Sequence, residues 1–351
     1  QRTTDNGQSS LLLRMTAAGL YCEAGGFHID PCAAVARAVI THGHADHLTR
    51  GCQRYLTAAP GAEIVASRLG PRAVIETLPY GAEISLGSVR VSLHPAGHVL
   101  GSAQVRVEHA GEVWVATGDY RTAVDRTCAP FEPVRCQTLV TESTFGHPFF
   151  RWPDPAQVMG DIHTWWRCNQ TAGKASFLYA YSLGKAQRVL AELDGSIGPI
   201  GVHPQIRDIN KFYVSAGVEF PEHTDFDRMN LAKHWSQSLL LLPPSARWQQ
   251  PCPFYGHYST AFVSGWMLLP DGPKQRRVGQ GFAISDHADH SEIWATIRAT
   301  GAERVGVLHG YIDDLVADLQ EQGYDGFSLK SLRCKEPPKI LVGKAETPPA
   351  K

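Results

Sequence analysis

The stretch "VITHGHADHLTRG" sets His42, His44, Asp46 and His47 within six residues, directly after an apolar run. Neutral imidazoles and a carboxylate are borderline ligands that suit zinc, with manganese or iron as weaker candidates. In a loop, alternate residues can turn toward one point, so His42 and His44 could share one ion while Asp46 and His47 face another. The bland alternative is a polar surface loop, and four ligand-type side chains in six positions at a strand exit argue against it. Two ions need more ligands than one loop holds, which predicts isolated His and Asp residues at later strand ends. "LHPAGHVLGS" offers His98, "VATGDY" offers Asp119 and "GVLHGY" offers His309. His94 competes with His98 but falls inside an alternating strand pattern and reads as packing or surface. The tetrapeptide HADH returns at 287–290 within "SDHADHSE". Its flanks do not match those of the first copy, so an internal duplication is not indicated.

These side chains need strands to present them. "GLYCEAGGFHIDP" reads as a hairpin turning near Gly25-Gly26, and "AVARAVITHG" as a buried strand ending in the histidine loop. "EISLGSVRVSLHPAGH" and "AQVRVEHAGEVWVATGD" alternate and carry Gly-bearing turns, as antiparallel strands do. "CQTLVTESTFG" is a further apolar strand. Near residue 148 the pattern changes to helices alternating with strands, the mark of a parallel α/β layer. "DPAQVMGDIHTWWRCN" spaces Val158, Ile162 and Trp165 or Trp166 as a helix face. "DGPKQRRVGQ" is a basic connector, "GFAISDHADHSEIWATIRATGAERVGVLHGY" gives strand, helix, strand, and the Pro- and Lys-bearing tail is expected to fray. Asp289 with Glu292 has capping-box spacing for the helix "SEIWATIRAT", which leaves His290 as a first-turn surface residue.

The chain of 351 residues, 43% hydrophobic and 19% charged, can bury a sizeable core. A net charge of -1 gives no global attraction to polyanions, so any such binding needs a local basic groove. No apolar run approaches the ~20 residues that span a bilayer. The opening "QRTTDNGQSS" does not read as a signal peptide. Eight cysteines without a CxxC pair argue against a disulfide framework and a thiolate zinc site. A cytoplasmic enzyme without a membrane partner is the expectation.

The series HxHxDH, Gly-His, Gly-Asp and His-Gly, in this order, resembles the metallo-β-lactamase superfamily in its two-metal hydrolase form. That resemblance implies one zinc held by His42, His44 and His98, a second held by Asp46, His47 and His309, and Asp119 bridging them, with manganese as the alternative metal. Paired ions ~3.5–4 Å apart polarise a substrate and supply a nucleophile near neutral pH. "VTESTFG" and Ser285-Asp-His-Ala-Asp289 are similar to two motifs of the β-CASP nucleases. The implied fold is an α/β one: an αββα sandwich (1–147 and 281–351) with an inserted α/β cap domain (148–280). The implied catalytic set is Asp46, Asp119, Glu142 and His287. His287, kept protonated by Glu142 and free of metal, would give a proton to the leaving oxygen, since imidazole titrates near working pH.

"YSLGKAQRV" lies at a strand-to-helix junction, where Ser182 can cap the helix and Lys185 reach toward a phosphate. A capped helix with a solvated lysine is the equal alternative from spacing. The segment resembles the Tyr-Ser-x-Gly-Lys stretch of Artemis-like DNA repair nucleases and also the Leu-Gly-Arg-Ala-Gln stretch of RNA-processing members. Tyr181, Ser182, Gly184 and Lys185 are therefore candidate substrate contacts. Ser264, Gly265 and Trp266 join them as a place to position a terminal nucleotide, although a Trp there more often packs. Lys274, Arg276 and Arg277 are candidate phosphate contacts or merely solvated charges. "TESTFGHPFFRWP", "YAYSLGKAQRVL", "PFYGHYSTAFVSGWM" and "GAERVGVLHGY" are similar to bacterial DNA-ligase-associated exonucleases, also labelled mRNA 3′-end processing factors. This implies a DNA exonuclease in DNA repair, starting from a 5′-phosphorylated end, beside an ATP-dependent ligase and a helicase. An RNA-processing nuclease with the same site is the alternative, and an inactive β-CASP scaffold subunit a further one.

Overall fold

The computed structural model describes residues 11–226, 229, 231–248 and 256–330. The tail beyond 330 and the start of "PFYGHYSTAFVSGWM" lie outside them. The described chain is mixed α/β, built on three sheets.

Six strands form the first sheet in sequence order: β1 (Arg14–Thr16), β2 (Gly19–Cys22), β3 (Phe27–Ile29), β4 (Arg37–Ile40), β5 (Arg54–Ala58) and β6 (Ile75–Leu78). The expected hairpin is β2–β3, with Leu20 opposite Ile29, whereas β3 to β6 run parallel. The second sheet begins with the meander β7 (Glu83–Leu86), β8 (Val89–Pro95), β9 (Ala103–His109) and β10 (Glu112–Ala116), and continues into β11 (Thr138–Ser143). The chain then leaves to build a third sheet from β12 (Ala175–Tyr179), β13 (Ile200–Val202), β14 (Thr224–Asp225), β15 (Leu239–Leu242), β16 (Tyr258–Val263) and β17 (Gln280–Phe282). It returns to add β18 (Arg304–Gly310) and β19 (Asp325–Ser328) beside β11, giving the order β19-β18-β11-β10-β9-β8-β7.

The helices are α1 (Ala62–Leu69), α2 (Pro155–Thr171), α3 (Lys185–Glu192), α4 (Pro204–Ser215), the one-turn α5 (Leu231–His234) and α6 (Gly272–Gln275), α7 (His290–Thr300) and α8 (Ile312–Glu321). One core joins the first two sheets, with Phe27, Val39 and Leu56 meeting Val91, Trp114 and Val140. The far face of the second sheet is covered by Ile293 and Ile297 of α7 and Leu315 and Leu319 of α8.

The third sheet is parallel throughout, in the order β14-β13-β15-β12-β16-β17. Its central strand β15, "LLLL", is buried at every position, as parallel strands covered on both faces are. Asp154 caps α2 by accepting from the Ala156 N–H at 2.9 Å. Of the two adjacent tryptophans, Trp166 is the buried one, packed with Val158 and Ile162 on that sheet. Two seams join this unit to the rest: Ile64 and Leu100 against Leu183, Ile209 and Tyr213, and Phe145 and Tyr311 against Phe150 and Leu269.

Candidate metal centre

The loops that carry the expected residues follow strand ends. β4 runs into His42–His47, β8 into His98, β10 into Asp119, and Glu142 and His309 are the penultimate residues of β11 and β18. Ser285–Asp289 joins β17 to α7. Gly118 sits at φ 58°, and a Cβ there would come within 2.8 Å of the Thr41 side chain. Only glycine therefore lets the Asp119 loop close on the histidine loop.

Three ring nitrogens converge, from buried His42 and His98 and half-buried His44. His44 Nδ1 is 3.0 Å from His42 Nε2 and 3.1 Å from His98 Nε2. Asp119 Oδ2 lies 3.6 Å from His42 Nε2 and 3.8 Å from His98 Nε2. Burial and the neighbouring imidazoles push His42 well below the usual imidazole range. Burial does the same to His98 despite the opposing charge of Asp286. The far nitrogens are committed: His44 Nε2–H donates to the Leu183 carbonyl at 3.1 Å and His98 Nδ1–H to the Asp286 carbonyl at 2.7 Å. A carbonyl only accepts, so in the neutral rings the protons sit on those atoms. His44 Nδ1 and His98 Nε2 are then two lone pairs facing each other at 3.1 Å with no proton between them. Such a contact is repulsive unless a cation occupies it, and the Asp119 carboxylate supplies the compensating charge. The residues present fit a divalent metal.

The second expected set is arranged differently. His47 lies between two carboxylates, with Nδ1 2.7 Å from Asp30 Oδ2 and Nε2 3.2 Å from Asp119 Oδ2. Burial opposes its charge, but those two carboxylates outweigh burial and hold it well above the usual range. Burial likewise opposes the ionised form of Asp119, and the charges of His47 and His287 overcome it. Asp46 is exposed, and the His309 ring centre is 6.0 Å from that of His47. Both residues border a cavity of ≈ 70 Å³ together with Asp30, His47 and Glu142. Among the described residues, His42, His44, His98 and Asp119 thus gather to one point, and Asp46, His47 and His309 do not. Asp30 went unnoticed in the sequence, although it too is a carboxylate just past a strand end, following β3 as Asp119 follows β10. It also accepts from the Thr41 N–H at 2.8 Å.

Beside the cluster, His287 Nδ1 contacts both oxygens of buried Glu142, at 3.0 and 2.9 Å. Glu142 further accepts from the Tyr120 N–H at 2.9 Å and from the Thr144 hydroxyl. Burial disfavours the imidazolium of His287, but the charges of Glu142 and Asp119 prevail and raise its pKa to about 9. Two residues on, the capping box is formed. Asp289 Oδ1 accepts from the Glu292 N–H, and Glu292 Oε2 from the Asp289 N–H, both at 3.0 Å. His290 departs from the surface position expected of it: it is half-buried, accepting from Trp294 Nε1 at 3.2 Å, with Asp318 at 3.5 Å.

The candidate substrate contacts fall into two groups. Tyr181 is 39% exposed at the mouth of the seam. Lys185 does not reach outward: it is buried, with Nζ 2.5 Å from Asp286 Oδ1. Nor does Ser182 cap α3. Gly184, at φ 85°, holds the N-cap position, its N–H donating to Gln187 Oε1 at 2.8 Å, while the Ser182 carbonyl accepts from Gln187 Nε2 at 3.1 Å. Ser264 is buried and caps the following turn at Trp266 N. Gly265 permits a close approach, since a Cβ would lie 2.6 Å from the Phe145 ring. Trp266 packs on Phe145, ring centres 4.5 Å apart, and Phe145 in turn stands 5.9 Å from His287. Arg276 of the basic connector lies over the Phe262 ring at 5.2 Å.

No protein-family profile matches the sequence. The chain is 30% identical over 338 residues to a probable DNA ligase of Opitutus terrae, an alignment covering 93% of this chain and 32% of that protein. It is 31% identical over 146 residues to the endoribonuclease YSH1 of Yarrowia lipolytica, covering 40% of this chain and 17% of the relative. The Saccharomyces cerevisiae endoribonuclease YSH1 is 32% identical over 124 residues, 34% of this chain and 15% of its own length. The chain thus spans about a third of the first relative and under a fifth of the others. A crystal structure of a protein of unknown function from Enterococcus faecalis superimposes with a TM-score of 0.56 at 14% identity, over 85% of this chain and 80% of that one. That likeness concerns the fold alone.

Proposed function

We infer that this chain, which belongs to the metallo-β-lactamase superfamily and within it to the β-CASP nuclease group, is a metal-dependent phosphodiesterase that trims DNA ends. The observation that carries the reading is the convergence of His42, His44, His98 and Asp119 beside the Glu142–His287 contact. In this reading the chain is an αββα sandwich, 1–147 and 281–351, with a cap at 148–280. His42, His44 and His98 would hold one zinc, and Asp46, His47 and His309, which stand apart, would hold a second once His47 released its proton, with Asp119 within reach of both sets; manganese would be the alternative. When bound, the pair polarises the phosphodiester and supplies the nucleophile.

The chain's own residues do the rest. Glu142 orients His287 and keeps it protonated through Nδ1, leaving the other ring nitrogen to deliver a proton to the departing oxygen. Phe145, buried beneath Trp266, packs beside His287 and limits where that ring can turn. DNA is favoured over RNA because the match that runs along nearly the whole chain is to a probable DNA ligase. A role in DNA repair beside a ligase and a helicase is carried over from the motif resemblance to DNA-ligase-associated exonucleases, and the cytoplasm as its place of action from the scattered cysteines. Among the described residues no helix is long and apolar enough to cross a membrane.

RNA processing is the second reading, favoured by the endoribonuclease names of the shorter matches. Matched DNA and RNA strands, labelled at either end and carrying or lacking a 5′ phosphate, separate the two. The proposal expects metal-dependent loss of nucleotides from the 5′-phosphorylated DNA end. Cleavage of RNA alone would transfer the site to the rival, and no metal-dependent cleavage of either would sink both.

A further inference from the structure

Two of the three converging imidazoles are oriented by groups that the inserted unit supplies or holds. The carbonyl on His44 is that of Leu183, just before α3. The carbonyl on His98 is that of Asp286, whose side chain takes the Lys185 ammonium at 2.5 Å. The lysine and aspartate side chains are 6% and 2% exposed, and the ammonium is covered further by the Tyr181 ring at 5.3 Å. The preceding carbonyl, of Ser285, accepts from Arg121 at 2.6 Å and from Arg188 at 2.5 Å, so the peptide before Asp286 is clamped as well. Gly184 brings the two units this close: a Cβ there would lie 2.3 Å from Val99 Cγ1 and 3.4 Å from Asp286 Oδ2. A lysine so enclosed has no free face with which to meet a terminal phosphate. Its geometry is that of a support for the cluster.

We propose that Lys185 is a positioning residue of the metal centre. By its pairing with Asp286 it holds one carbonyl on His98, and in the same stroke seats Leu183 on His44. Seating of the inserted unit is thereby a condition for retaining metal. Hydrogen bonds to the far nitrogen of a ligating histidine set its tautomer and direction, and losing one typically costs 10–100-fold in metal affinity. The inference rests on the metal-dependent reading above.

The test uses the full chain, with K185M, K185R and the double variant K185M/D286N, the last leaving neither charge of the pair in the interior. Zinc affinity is measured by competition with a chromophoric chelator, and the ligand field by the absorption of the cobalt(II) form. The expected result for K185M is zinc affinity about 10–100-fold weaker, altered cobalt bands, and a fall in kcat with KM unchanged on DNA with or without a 5′ phosphate. Partial recovery is expected in K185R. If K185M does not fold, the double variant carries the same reading: weakened zinc affinity supports the proposal and wild-type affinity overturns it. Unchanged zinc affinity and cobalt spectrum, with a KM raised only for the phosphorylated end, would make Lys185 a phosphate ligand instead. Wild-type protein that holds neither zinc nor manganese would remove the metal-dependent reading itself, whereas metal held equally well by wild type and K185M removes only this inference.

Discussion

His287 stands within reach of two buried groups, Asp119 with Glu142 and His98 with Asp286, so its ring could be a proton donor or one more ligand. Replacing it by asparagine separates the roles, because the amide can still donate to Glu142 but cannot hand over a proton. General acid catalysis contributes about 10²–10⁴-fold, or roughly 3–5 kcal/mol of barrier. His287→Asn is therefore expected to slow DNA cleavage by about that factor with bound metal unchanged. The fold should survive, because Glu142 keeps the Tyr120 N–H and the Thr144 hydroxyl as donors. Losing the charge-assisted contact to His287 costs about 1–3 kcal/mol, a shift of a few degrees in Tm for a chain of this size. The assay compares an oligonucleotide with an aryl phosphodiester whose phenolate leaves without help from an acid. The variant should be crippled on the first and nearly normal on the second. Equal losses on both substrates, or release of metal by the variant, would refute the acid role.

Asp119→Ala should abolish cleavage and lower the metal content found by elemental analysis, since Oδ2 lies 3.6, 3.2 and 3.8 Å from the nitrogens of His42, His47 and His98. Full metal content in that variant would contradict the site. Gly184→Ala forces a Cβ to within 2.3 Å of Val99 at φ 85°. Overpacking of this kind costs about 1–3 kcal/mol, to be read from the denaturant midpoint; an unshifted midpoint would mean that the units do not meet so closely. Asp289→Ala removes the acceptor for Glu292 N, Ser291 Oγ and Trp152 N. Lost caps cost about 0.5–2 kcal/mol, and Asp289→Asn should recover the part carried by Oδ1, the cap on Glu292 N, but not the contact of Oδ2 with Trp152 N, in the same denaturation experiment.

Much of the site is written locally. Four ligand-type residues packed into one loop, and single His or Asp residues beside glycine at later strand ends, could be picked out because strand ends are where chains place chemistry. Glu142 and His287 emerged by resemblance, and the Asp289–Glu292 cap by its spacing. The conformation around Lys185 was not legible. From spacing it was a helix-start lysine reaching outward, to a phosphate or to solvent, and only the packed chain turns it inward, onto a carboxylate 101 residues away. The same holds for the carbonyls on His44 and His98, which come from 139 and 188 residues along the chain. A backbone carbonyl is the same atom in every residue, so no letter of the sequence marks one that will orient a histidine. Side-chain identity determined which groups can bind metal or move a proton. The docking of the inserted unit onto the two-sheet core decided which nitrogen of His44 faces the centre, and the return of the chain past β17 decided it for His98, because only tertiary packing brings those distant acceptors within hydrogen-bond range.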